Sequence, residues 1–560
     1  MHRHDVIDTA DKTISQRVYS IYTLLLLLFT FFFLGGCQNV DKVSESLIFR
    51  YNEDATVSSL DPAYVKSQAE IWIASQIFNG LIELDSHFNP IPSLAKSWEI
   101  SENGTVYKFN LKRNIFFIQK DGAHEKKVKR FDAYDVLYSF LRMIKPSTAS
   151  PGAWIFNEKV KMPSDLQELN NLNSQKNPFY APNDSTVIIK LKTAFAPFLK
   201  LLGTSYCYIV PNGMAEQPSF GHSPIGTGPF YAKMWEDDIR LVLRKNNHYF
   251  EYEGENQLPY LEAVNVDFIK NKQTAFLQFL SGNYDFFNGL ETSYKDELLS
   301  FKGELKEKYA SRINMLKKPF LNTEYIGFYL GKDGVLQNEN FRMALSYAVD
   351  RKAIVKYIRN GIGEVGIHGF VPPDLLTEKV KGFSYDLKKA IELMEKSGVD
   401  EKTELSLTTT SDYMDIAVLL KNNWSKLGLQ VKIDIQNGAM LRQKRNKGDV
   451  QLFRGSWIAD YSDAENYLAC FTSPNFSPSG PNYTHFGNSS FDNAYNDLLN
   501  QTTPEMIAKK SVVADQLLIS KAPIIVLYYD KSLRLSQKTV QNLGNDASNR
   551  LILKNVRKQK

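Results

Sequence analysis

Three observations predict an α/β fold spread over several domains. At 560 residues the chain is too long for one hydrophobic core, and its length suggests two to four domains. Hydrophobic residues at 43% and charged residues at 23% are ordinary for a globular protein, so disorder is not the default. From Ser46 onward, short runs of β-prone residues alternate with helical stretches across turn-forming residues. A net charge of +5 over 67 basic and 62 acidic residues is too diffuse to argue for a nucleic-acid partner. The aromatic fraction, 12%, suits a protein with large clefts.

Residues 1–36 read as an export signal. Arg17 precedes the uncharged run Ile21 to Leu34, which is about the length of a signal core and short of the roughly 20 residues of a spanning helix. The run ends in Leu34-Gly35-Gly36-Cys37, which resembles a bacterial lipobox, where the cysteine is acylated and becomes the mature N-terminus. More than one acyl chain on Cys37 gives a stable membrane anchor, since one chain alone is marginal. Residues 37–45 would be the tether. Only Cys207 and Cys470 remain, far apart, which is no disulfide scaffold.

The elements follow in order. Ser46-Leu-Ile-Phe-Arg50 is strand-like, Ser59 to Pro62 a turn, and Gln68–Phe78 a helix closed by Asn79-Gly80. Thr105–Leu111 is a strand, and Phe131-Asp-Ala-Tyr-Asp-Val136 opens a helix with Asp132 as N-cap. Ser223-Pro-Ile-Gly-Thr-Gly-Pro-Phe230 is a turn before a strand at Ile239–Leu243. Phe341–Arg351 is an amphipathic helix, and Ser425–Val431 a helix end running into a strand. The basic stretch Ile118–Arg130 reads as a solvated hairpin, and Met162–Asn177 as polar and irregular.

Catalytic motifs fail on context. Gly361-Ile-Gly-Glu-Val-Gly366 spells a dinucleotide fingerprint but follows a helix, not a strand, and so lacks the geometry that cradles a phosphate. Ser93-Leu-Ala-Lys96 has no companion Ser-Asp-Asn or Lys-Thr-Gly. The histidines are scattered singly, without metal-ligand spacing. The expectation is no enzyme, no metal and no cofactor.

One stretch carries binding chemistry. Val450–Phe453 reads as a short strand, after which Arg454, Trp457, Asp460, Tyr461 and Asp463 crowd one loop. Aromatic faces supply apolar walls, and a carboxylate with a guanidinium fixes charged ligand ends. The same residues also fit a solvated surface loop. Arg454-Gly-Ser-Trp-Ile-Ala-Asp-Tyr461 resembles the loop of the oligopeptide-binding proteins of ABC importers, in which the matching Asp pairs with the peptide's α-ammonium. Pro92-Ser-Leu-Ala-Lys-Ser-Trp98 and the blocks already quoted resemble, in the same order, family 5 of the solute-binding proteins over nearly all of the mature chain.

That resemblance implies a two-lobed periplasmic-binding-protein fold of the cluster C type with an extra inserted domain. Carried over, lobe I is 46–79, 206–315 and 521–560, the insert 80–205 and lobe II 316–520. Tyr325–Leu330 and Pro523–Tyr529 would be the crossing strands. It implies a monomer that binds peptide outside the cytoplasm, anchored through Cys37, and passes it to permease subunits. The ligand-binding residues would be Asp460, Trp457, Arg454 and Tyr461, with Arg454 pairing Asp460 or Asp463 or facing a ligand carboxylate. Two other readings stay open: the same fold with another cargo (murein peptide, glutathione, dipeptide, metal chelate or haem), and a secreted peptide or cell-wall hydrolase.

Overall fold

The computed structural model describes residues 47–122, 124–172, 174, 176–289, 297–300, 302–544 and 549–559. The expected signal, tether and Cys37 lie outside these. Contacts divide the chain into Met1–Ile48, of which only Leu47 and Ile48 are described, and Phe49–Lys560, which holds everything below except Ile48 itself.

The chain is α/β, and one large sheet organises it. Its strands are β1 (Ile48–Asn52), β2 (Phe230–Glu236), β3 (Arg240–Lys245), β4 (Ala263–Asp267), β5 (Phe286–Asn288), β6 (Ile313–Phe328), β7 (Glu364–Val365), β8 (Glu404–Thr409), β9 (Gln430–Ile435), β10 (Leu452–Ile458) and β11 (Ile524–Gln537). They lie in the order β2-β3-β4-β1-β5-β11-β6-β10-β8-β9, with β7 on β11. Strands β8 and β9, β8 and β10, and β1 and β5 are parallel, while β6 is antiparallel to both its neighbours.

The two long strands hold the sheet together. Strands β6 and β11 pair from Ile313↔Gln537 to Pro319↔Lys531 and again from Thr323↔Tyr529 to Gly327↔Ile524, with an irregularity between Pro319 and Thr323. One half of β11 carries β5, at Phe286↔Ser536, and the opposite half of β6 carries β10, at Asn322↔Ile458 to Phe328↔Leu452. Tyr325–Phe328 and Ile524–Tyr529, from the two expected crossing segments, are thus parts of longer strands. Successive residues of these strands feed different cores: Ile326, Phe328, Ile525 and Leu527 join one apolar cluster, and Tyr325, Ile524 and Val526 another. Period-2 alternation in strands buried on both faces has this result.

A separate four-stranded sheet, with its strands drawn from Ala95–Ser101, Val106–Leu111, Phe179–Asn183 and Thr186–Lys190, lies within 80–205. Helix α1 (Gln68–Ile77) is capped by Ser67 in a capping box with Glu70. Helix α2 (Ala133–Ile144) is capped by Asp132, as expected. The basic stretch is a hairpin of Phe116–Asp121 and His124–Arg130, with Lys126 and Lys127 exposed. Within Met162–Asn177 the helical element is a short turn, Leu166–Asn170. Cys207 and Cys470 are both buried and free.

Two readings need correction. The turn at Ser223–Phe230 leads directly into β2, and the following strand begins at Arg240; a bulge between Ala232 and Met234 hides the alternation of β2. Strand β10 runs to Ile458, so Arg454 and Trp457 stand on a strand and not in a loop.

Two glycines make that extension possible. Gly327 faces Phe453 and Gly455 faces Tyr325 across β6 and β10. A Cβ on Gly455 would lie 2.2 Å from Tyr325 Cζ, and one on Gly327 2.2 Å from Phe453 Cζ, so each ring fills the space its opposite glycine leaves. We expect Gly455→Ala to destabilise the fold by about 1–3 kcal/mol through overpacking. Urea unfolding checks this, and combining it with Tyr325→Ala should cost less than the sum of the two changes.

Candidate ligand-binding site

Where the β6–β11 pairing is interrupted, a cavity of about 260 Å³ opens. Phe320 and Leu321 of β6 form one side, and Ile458 with the loop Ala459–Ser462 another. Ile71, Trp72 and Ser75 of α1, the stretch 203–206, and residues 550–554 complete the wall. Local bonds set these pieces in place. Trp72 Nε1 donates to the Asn549 carbonyl at 2.7 Å and Gln76 Nε2 to the Leu551 carbonyl at 2.7 Å, which fixes the C-terminal segment against α1. Ala459 N donates to the Leu321 carbonyl at 2.9 Å, which ties the loop to the gap in β6.

Asp460 is exposed inside this cavity and makes no ion pair among the described residues. Burial by the surrounding protein raises its carboxyl above the ordinary range, and a hydrogen bond from the Asn466 side chain opposes that shift. Asn466 serves the site a second time, through Oδ1, which accepts from Trp457 Nε1 at 3.0 Å and from Asp460 N at 3.2 Å. Tyr461 lines the cavity with its ring stacked on Trp154, centroids 5.9 Å apart, and its hydroxyl donates to Glu465. Tyr495 donates to the other oxygen of Glu465. Burial raises the Glu465 carboxyl, and these two hydroxyls oppose it.

The remaining expected residues sit elsewhere. Trp457 is half-buried beside Asn466 and does not line the cavity. Arg454 pairs with neither Asp460 nor Asp463. Its guanidinium donates to both Glu324 oxygens, at 3.0 and 3.1 Å, and lies 3.7 Å from the Tyr413 ring centroid. The strand geometry explains this, because Arg454 opposes Ile326, two residues from Glu324, on the adjacent strand β6. Asp463 caps helix α5 (Ala464–Leu468; α3, Phe198–Leu202, and α4, Glu339–Tyr347, precede it) and pairs with Lys200 at 2.8 Å.

Several site residues were not singled out from sequence: Asn466, Lys200, Trp154 and the segment Arg550–Lys554. Lys200 meets Asp463 across 263 positions of chain, and no local pattern announces such a contact. On the cavity floor Lys554 pairs with Glu83 at 2.8 Å and Glu251 at 2.6 Å. Among the described residues no group of three or more His, Cys, Asp or Glu is placed to hold a metal ion. The lining residues include no His or Cys. What the arrangement offers is an apolar enclosure with one carboxylate that lacks a cation, which suits a ligand bearing an ammonium.

We expect Asp460→Asn to raise the melting temperature of the ligand-free protein near neutral pH. A carboxyl whose folded pKa is raised disfavours the folded state once it ionises. That penalty is absent below its unfolded pKa and grows as the pH rises through the folded one. The gain from Asn should therefore shrink as the pH is lowered, which melting curves across a pH series will show.

Residues 89–479 match the sequence profile of the bacterial extracellular solute-binding proteins, family 5, middle region. The chain is 25% identical over 516 residues to Heme-binding protein A of Haemophilus influenzae, covering 87% of this chain and 88% of that one. It is 25% identical over 548 residues to the periplasmic oligopeptide-binding protein OppA of Salmonella typhimurium, covering 93% and 94%. Its fold is similar to the solved structure of HbpA2 from Haemophilus parasuis, with a TM-score of 0.80 over 92% of this chain and 100% of the other at 22% identity.

Proposed function

Because the chain belongs to family 5 of the bacterial extracellular solute-binding proteins, we propose that it captures oligopeptides with a free amino terminus outside the cytoplasm and delivers them to the permease of an ABC importer. The observation that carries this reading is Asp460, a carboxylate facing an apolar cavity with no cation paired to it among the described residues. An ammonium withdrawn from water is tolerated only opposite a counter-charge with hydrogen bonds. In this reading Asp460 receives the peptide's α-ammonium and Tyr461 packs beside it. Trp457 and Arg454 support the loop from the strand behind, Trp457 through Asn466 and Arg454 through Glu324.

The strands on either side of the β6–β11 crossing then belong to two lobes. Residues 46–79, 206–315 and 521–560 form lobe I, 316–520 lobe II, and 80–205 the insert. Ligand bound between lobes touches both only when they close, so it favours the closed state. A second cargo is supported by one observation: a relative of comparable identity and coverage carries a haem-binding name. Mass spectrometry of whatever co-purifies with the protein separates the two.

Asp460→Ala should weaken peptide binding by about 3–5 kcal/mol, by analogy with broken buried pairs, which is two to three or more decades in affinity at about 1.4 kcal/mol per tenfold. N-acetylating the peptide should cost the wild type a similar amount, and the two changes should not add. Calorimetric titration of both proteins with both peptides completes the cycle. Equal binding of free and acetylated peptide by the wild type would sink the assignment.

Membrane attachment through Cys37 belongs to the same proposal, together with removal of residues 1–36. Cys37→Ser should give an unprocessed or soluble form, and its appearance in the membrane fraction at mature size would count against the anchor.

A further inference from the structure

Around Asp460, among the described residues, the other charged groups that line the cavity or bond to its lining have local partners. Lys200, from α3, lines the cavity, and its Nζ lies 2.8 Å from Asp463 Oδ2. The other Asp463 oxygen accepts from Glu465 N at 2.9 Å, and the residue is 3% exposed. Glu465, fully enclosed, is answered by two tyrosine hydroxyls. On the floor, Glu83 and Glu251 share Lys554, and the positive field of Arg550 also falls on Glu83. Asp460 is left over.

We propose that Lys200 sets the charge selectivity of this cavity: by neutralising Asp463 it leaves Asp460 as the one lining carboxylate without a cation among the described residues, so that the site takes one positive charge and disfavours a second. Lys200 comes from a stretch of chain remote from the loop it neutralises, so the charge of the site is decided by a contact between two separate elements. Its removal leaves Asp463, which follows Asp460 by three residues and lies behind the lining lysine, without that cation. A ligand with a basic group next to its ammonium then finds two carboxylates where the wild type offers one. This inference rests on the reading that the ligand presents an ammonium to Asp460.

The test compares trialanine with Lys-Ala-Ala by calorimetry on the wild type, Lys200→Gln, Lys200→Arg and the double variant Lys200→Gln/Asp463→Asn. The wild type should prefer trialanine. In Lys200→Gln the affinity ratio should move towards Lys-Ala-Ala by about tenfold or more, about 1.4 kcal/mol. Lys200→Arg keeps the charge and should keep the wild-type ratio. The double variant removes both charges while Asn still caps the helix, and it should also keep that ratio, although its ion pair is gone. An unmoved ratio in Lys200→Gln, or an equal shift in the double variant, overturns the proposal. Melting curves with diamines of three to five carbons provide an arm that needs no peptide: Lys200→Gln should be stabilised more than the wild type. If the wild type binds neither peptide but this difference appears, the peptide reading falls and the role of Lys200 stands. If the diamines show no difference, the role of Lys200 falls whatever the peptides do.

Discussion

The antiparallel pairing of β6 with β11 is the constraint on which the rest of the molecule depends. It is long enough to carry one set of strands on one half and another set on the other. Its interruption between Pro319 and Thr323 is where the cavity lies. Within that gap the Leu321 carbonyl accepts from Ala459 N, in register with the Asn322↔Ile458 pair, so the β6–β10 ladder runs on where the β6–β11 ladder is broken. That continued pairing positions the Asp460 loop beside the break.

The electrostatics follow a consistent division of labour. Buried ion pairs of the Lys200–Asp463 and Lys554–Glu83 kind roughly break even against desolvation, so their contribution to stability is a weak reason for them. They define which charges remain visible from the cavity. Arg454 is withdrawn from that set by Glu324, on the strand beside it. A sequence reader sees Arg454, Asp460 and Asp463 as neighbours within ten residues, whereas in the fold their partners come from three separate places.

The α/β class, the helix capped by Asp132 and strands at Tyr325–Phe328 and Ile524–Tyr529 were legible in the sequence because each rests on local signals: period, caps and runs of β-branched residues. Family membership was legible because blocks such as Pro92–Trp98 and Arg454–Tyr461 keep their order along the chain. The placement of Arg454 and Trp457 was not. Glycine and serine at 455 and 456 look like the start of a loop, and only the aromatic ring supplied by the opposite strand turns them into strand residues. Lys200 and Asn466 were equally silent, since a lysine on a short helix and an asparagine on another gain their meaning from partners that folding brings to them.

The reciprocal seating of Tyr325 on Gly455 and Phe453 on Gly327 has a consequence for how such a chain can drift. A side chain added at either glycine meets the ring seated on it, so within each pair the two sizes are coupled. The backbone that delivers Ile458 to the cavity wall is thereby braced. A lineage that retunes its cargo has to do so on the far side of that frame: through the side chains of the short loop after Ile458, through the helix that supplies Lys200, and through the C-terminal segment pinned to α1. Innovation in this architecture is confined to the rim, and the interlocked strands are what make the rim safe to alter.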